Sequence, residues 1–182
     1  MFFERILDNP KSVRMDRKEE PMEQVEKAFL KDVSLDEVGP KPREPKDPVD
    51  HWTPPLLLER AAYLRKLAKH GDGSASETLK EYPQHFAMLS FRSRSGEVEV
   101  HERFADLFIV LAGAATLVTG GTVTGARIVA PGETRGESIA SGTPKNLRPG
   151  DVAHVPAGTP HQMLLKGDET ITSLVMKVQE AV

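Results

Sequence analysis

Gly150-Asp151-Val152-Ala153-His154-Val155-Pro156-Ala157-Gly158-Thr159-Pro160-His161 sets a short apolar run between two glycines and ends on a proline turn that delivers a histidine. Gly150 permits a tight entry, Val152 to Val155 reads as a strand, Pro156 and Gly158 fix the turn, and His161 opens the next strand, where it can point into a barrel. Short apolar runs of the same kind recur on both sides, at Phe86 to Phe91, Val98 to Arg103, Leu107 to Leu111, Ala115 to Thr119, Thr122 to Val129, Met163 to Leu165 and Ile171 to Val178. Thr119-Gly120-Gly121-Thr122 places two glycines between β-branched residues and predicts a two-residue hairpin turn. Many short strands with Gly/Pro turns and no intervening helices predict a mainly β sandwich or barrel over 84–182.

Ahead of Pro83 the chain obeys other rules. Eight of the 14 prolines fall in the first 55 residues, whereas 11 of the 14 glycines fall from Gly96 onward. Residues 1–52 read as a charged, Pro-rich N-terminal arm. Its first 50 residues hold 10 basic and 13 acidic side chains and so carry the whole net charge of −3. Behind Pro21, the spacing of Met22, Val25 and Phe29 predicts a short amphipathic helix near 20–31, and GPKPREPKDPVD at 39–50 is a semi-rigid connector that cannot be helical. Composition alone would fit a disordered tail; the expectation here is an arm docked on its own or a neighbouring subunit. Residues 53–83 read as a helical lead-in. Thr53 caps a helix near 55–70 that buries Leu57, Ala61, Leu64 and Ala68 and stops at Gly71, and the capping-box pattern Ser74-Ala75-Ser76-Glu77 predicts a second helix running to about Tyr82.

The glycine-to-histidine stretch resembles the second motif of the cupin superfamily, G(x)5PxG(x)2H(x)3N. Gly150, Pro156, Gly158 and His161 fill its first four fixed positions, and Leu165 stands where the asparagine would be. The first cupin motif, G(x)5HxH(x)3,4E(x)6G, matches in spacing at Glu99-x-His101-(x)4-Asp106-(x)6-Gly113, with Ser93 at the opening glycine, Glu99 for the first histidine and Asp106 for the glutamate. A register that begins at His101 and takes Arg103 as the second histidine leaves too short a spacer to Asp106. The resemblance covers about 65 residues, with a long stretch from 114 to 149 between the motifs. It implies a cupin-type double-stranded β-helix, or jelly-roll barrel, which here would follow the N-terminal helical arm, and, as the family is commonly dimeric, a homodimer.

On a strand, residues i and i+2 share a face, so Glu99 and His101 can both point inward, where Asp106 and His161 can join them. Two imidazoles and two carboxylates suit Fe(II), Mn(II), Ni(II) or Zn(II). The competing reading is a barrel without a metal, with the histidines as hydrogen-bonded lining and the carboxylates in salt bridges, Arg103 being a candidate partner. Glu133 and Arg135 sit in the long intermotif segment, either as a solvated loop or at the barrel mouth with Arg135 gripping an anion. His154 reads as a strand residue near the cavity; His51, His70 and His85 read as surface or packing residues.

Cysteine is absent, which excludes disulfides and thiolate chemistry. No window concentrates Lys and Arg as phosphate backbones require, so nucleic acid is not an expected partner. The longest apolar or small-residue run, Leu107 to Val118, has 12 residues, too few to span a bilayer, and with no signal peptide visible the expected location is cytoplasmic. After Pro83 the sequence holds no Trp or Tyr, which weighs against a sugar-stacking site. Three functions stay open: a metal-dependent oxygenase or isomerase acting on a small organic molecule, a non-catalytic small-molecule-binding protein, and an interaction module whose barrel is a scaffold.

Overall fold

A computed structural model describes residues 49–180, all within one compact unit. The helix expected near 20–31, and the arm that holds it apart from its last four residues, lie outside the described residues. Helix α1 (Pro54–His70) follows the reading closely: Thr53 is the N-cap, with its hydroxyl 3.5 Å from the Leu56 N–H, proline opens the first turn, and the chain leaves the helix at Gly71. Its buried stripe is Leu57, Ala61, Leu64 and Ala68, joined by Arg60.

The second helix does not form. Ser74–Tyr82 is strand β1, pairing antiparallel with β2 (His85–Arg92). The Ser74 hydroxyl bonds Asp72 Oδ1 at 2.7 Å instead of capping a helix. Glu77 points into the core, where its two oxygens take a forked pair of bonds from Arg60 at 2.6 and 2.9 Å. Four residues of local pattern carry no information about a partner 17 residues earlier, and that buried pair together with Leu79 under α1 overrides the capping box.

Twelve further strands follow β1: β2, β3 (Val98–His101), β4 (Phe104–Gly113), β5 (Ala115–Thr119), β6 (Thr122–Thr124), β7 (Arg127–Ala130), β8 (Glu133–Gly136), β9 (Ser138–Ala140), β10 (Thr143–Leu147), β11 (Val152–Val155), β12 (His161–Leu164) and β13 (Ile171–Gln179). They form a five-stranded sheet, β1-β2-β13-β4-β11, a six-stranded sheet, β10-β5-β12-β3-β8-β7, and the two-stranded ribbon β6-β9. If β1 and β6 to β9 are set aside, the remaining eight strands lie as β2-β13-β4-β11 facing β10-β5-β12-β3. Consecutive strands alternate between the sheets except at β5 and β10, which pair with each other, as in a jelly roll.

Strands β5 to β10 make one long hairpin, with β5 on β10, β6 on β9 and β7 on β8. Gly120 and Gly121 do take positive φ, 71° and 74°, but they are not a two-residue turn. They are a corner where the outgoing strand leaves the six-stranded sheet, matched on the return by Ser141 at φ 59°. The true tip is at Pro131-Gly132, and the hairpin folds back so that β8 pairs with β3.

Two clusters of apolar side chains hold this together. One lies between α1 and the outer face of the five-stranded sheet and contains Leu57, Leu64, Leu79, Leu89 and Phe91; the other fills the barrel with Val110, Leu117, Val155, Met163 and Ile171. Each fully buried leucine contributes about 1.5–3 kcal/mol. Among the described residues no helix is long and apolar enough to cross a membrane.

Candidate metal centre

Strand register builds the site. In the six-stranded sheet, Arg135 of β8, Glu99 of β3 and His161 of β12 lie opposite one another in a row, with Glu133 and His101 paired one step along. In the facing sheet, Asp106 of β4 and Lys177 of β13 are register partners. The two rows meet inside the barrel, where one ligand-type atom from each of Glu99, His101, Asp106 and His161 lies within 4.8 Å of every other. His101, Asp106 and His161 are buried and Glu99 is partly so.

Each histidine is held by its outer nitrogen. His101 Nδ1 is 2.6 Å from Glu133 Oε2, and His161 Nδ1 is 3.1 Å from the Thr159 carbonyl. Both oxygens only accept, so both Nδ1 atoms carry hydrogen and both Nε2 lone pairs face the cluster. His161 Nε2 stands 3.3 Å from Asp106 Oδ2 and has no hydrogen-bond partner, while His101 Nε2 is 3.2 Å from Glu99 Oε2 and 3.6 Å from Asp106 Oδ2. Phe108 packs edge-on against the His161 ring, with centroids 6.2 Å apart. The Gly158 N–H donates to the His101 carbonyl at 2.7 Å, which ties the turn of one motif to the strand of the other.

The surroundings keep both carboxylates ionised. Burial pushes the Glu99 carboxyl up, but the Arg135, Arg92 and Lys177 cations around it outweigh this and hold it far below the usual range. Burial likewise opposes ionisation of Asp106, and the Lys177 ammonium against it overcomes this.

Lys177 is the residue that the sequence reading missed. Its ammonium donates to His101 Nε2 at 2.7 Å and to Asp106 Oδ2 at 2.7 Å, and it lies 2.6 Å from Asp106 Oδ1. A 2.7 Å contact between two nitrogens has room for one hydrogen. It sits on Lys177, because an ammonium ordinarily holds its proton more tightly than an imidazolium. Arg92 was also missed; its Nη2 donates to Glu99 Oε1 at 3.2 Å. A signal for Lys177 was present: in the run Ile171 to Val178 it takes the same strand face as Ile171, Ser173 and Val175, an inward place for a charge.

Of the other residues singled out, Glu133 and Arg135 are strand residues beside the site and not a solvated loop, with Arg135 Nη1 3.5 Å from Glu133 and 3.7 Å from Glu99. Arg103 lies in the turn after β3, and the pairing considered for it falls to Arg92, Arg135 and Lys177. His154 points outward, half-exposed, at the rim of a cavity of about 390 Å³ that opens between the edges of β10 and β11 and includes Leu117, Thr119, Val155 and Thr159. Thr159 thus borders this cavity and anchors His161. Gly113, Gly150 and Gly158 all have positive φ, and the Pro156 carbonyl accepts from Thr159 in the turn.

Both motif segments converge on one cluster inside an eight-stranded roll of two facing sheets. The fold is a cupin-type jelly roll. No protein-family model matches the sequence, and no curated protein does. Among solved structures, this cupin-type barrel is similar to a protein of Thermus thermophilus, at 18% identity over 60% of this chain and 87% of that one, with a TM-score of 0.45. It is similar to a polyketide cyclase of Streptomyces resistomycificus at 17% identity, over 60% of this chain and 68% of that one, with a TM-score of 0.43. A cupin superfamily protein of Desulfitobacterium hafniense shares 18% identity over 59% of this chain and 78% of its own, with a TM-score of 0.41.

Proposed function

We propose that this protein binds a divalent metal through Glu99, His101, Asp106 and His161 and acts on a small organic molecule admitted to the barrel, as an oxygenase or isomerase. One observation carries the reading. Two buried imidazoles are locked by Glu133 and by a backbone carbonyl into the tautomer that aims Nε2 at two ionised carboxylates, and one of those lone pairs has no donor. Metal-ligating histidines are oriented in this way by outer partners. The donor set, two nitrogens and two oxygens, suits Fe(II), Mn(II), Ni(II) or Zn(II).

A bound metal of this kind supplies Lewis acidity toward a substrate oxygen, or a position for O2. The chain's own residues do the rest. Glu133 and the Thr159 carbonyl fix the imidazoles, Phe108 limits rotation of His161, and Arg92 and Arg135 keep Glu99 charged. The cavity bordered by Thr159 is of the size that small ligands occupy.

Lys177 favours a second reading, in which its ammonium is the only cation the cluster needs and the cavity alone selects a non-catalytic ligand. Metal analysis of the full chain, purified without chelators or metal-affinity resin, separates the two. The first reading expects near one equivalent of one divalent metal, lost in His161→Ala and His101→Ala and retained in His70→Ala. Absence of metal after incubation with each of the four ions overturns it. The homodimer expected from the arm and from the resemblance is a proposal of the same standing, tested by light scattering at tens of micromolar.

A further inference from the structure

We propose that Lys177 and the divalent metal are alternative occupants of one position, so that the ion binds only when the lysine ammonium leaves the cluster. The inference rests on the metal reading above and adds a built-in competitor to it. Lys177 is held inside by the register of β13: its cross-strand neighbour on β4 is Asp106, and with 9% of its surface exposed it has little access to solvent.

Two arguments make the occupancy exclusive. The first is valence. His101 Nε2 has one lone pair, because Nδ1 carries the hydrogen given to Glu133, and that lone pair now accepts from Lys177 at 2.7 Å. It cannot serve an ammonium hydrogen and a metal together. The second is distance. His101 Nε2 and Asp106 Oδ2 are 3.6 Å apart, and Lys177 Nζ is 2.7 Å from each. An ion at about 2.1 Å from both atoms lies no more than about 3 Å from Nζ, wherever on its circle of allowed positions it sits. No water fits between them, and two like charges at that separation repel strongly in a largely buried site.

Lys177 therefore does two things. Without metal it neutralises Asp106 and holds the ligands in place; in the presence of metal it sets the concentration at which the ion enters.

The test is calorimetric titration of Mn(II) and of Zn(II) into metal-stripped full-length protein, comparing wild type, Lys177→Met, Lys177→Gln and His161→Ala. Lys177→Met is expected to bind at least about tenfold more tightly than wild type, and His161→Ala far more weakly. A second readout is melting temperature: Lys177→Met should melt below wild type without metal and gain more than wild type on saturation with Mn(II). If Lys177→Met fails to fold, Lys177→Gln decides, since it keeps most of the stem and an amide donor for Asp106. Binding by wild type that neither Lys177 variant strengthens overturns the exclusion and leaves the metal reading standing. Binding by none of the proteins overturns both.

Discussion

His101 Nδ1 and Glu133 Oε2 lie 2.6 Å apart across the β3–β8 pairing, so an inner site residue is oriented by a carboxylate on a hairpin inserted between strands of the roll. Glu133→Gln keeps the volume and removes the charge that pulls the Nδ1 hydrogen outward. Metal affinity should fall by about 10–100-fold, with the fold intact. Metal titration beside circular dichroism checks this; unchanged affinity would mean that His101 is oriented by something else.

Acid should weaken the metal-free protein through the same cluster. Glu99 and Asp106 both have depressed folded-state values, so the stability they contribute is present above their ordinary values near 4 and is lost as pH falls below them. Urea midpoints measured from about pH 5 down to about pH 3 should decline steeply in wild type and less in Asp106→Asn, which has no carboxylate to protonate at that position. Equal slopes for the two proteins would remove Asp106 from the account.

The Arg60–Glu77 pair is nearly inaccessible to water, with side chains 2% and 3% exposed. Glu77→Ala removes the carboxylate that takes both of these Arg60 bonds and should destabilise by up to about 3–5 kcal/mol, whereas a double replacement by Met and Leu should cost less. Chemical denaturation of the single and double variants measures both. A mild effect of the single change would show that Arg60 finds water or another acceptor.

Gly113 ends β4 at φ +79°, and a Cβ built there would stand 1.9 Å from the Thr170 carbonyl oxygen. Gly113→Ala must therefore move backbone at the entry to β13, the strand that carries Lys177, and should cost more than the roughly 1 kcal/mol of an ordinary glycine replacement in the left-handed region. By contrast, nothing lies within 4 Å of a Cβ at Gly150 or Gly158. Alanine there should cost only the conformational penalty, and melting curves of the three variants should rank accordingly.

What the sequence disclosed follows from the range of the forces involved. Glu99, His101, Asp106 and His161 were legible because their spacing resembles the two cupin motifs, and strand periodicity then sets Glu99 and His101 on one face. Helix α1 was legible for the same local reason. Glu77 was misread because the partner that draws it into a strand lies on α1, and Glu133 and Arg135 looked like solvated charges because the strand they pair with, β3, lies far back along the chain. Lys177 was hidden in an apolar run, where a charge becomes meaningful only once Asp106 is known to stand opposite.

The outer part of the hairpin, β6 to β9, divides the labour of the site. Its ligand atoms belong to the eight strands of the roll, but two of the groups that tune them, Glu133 and Arg135, ride on β8, outside those eight. Lengthening, trimming or exchanging that appendage would retune the reactivity of an unchanged centre. The barrel is in this sense a socket, and the hairpin is an interchangeable fitting.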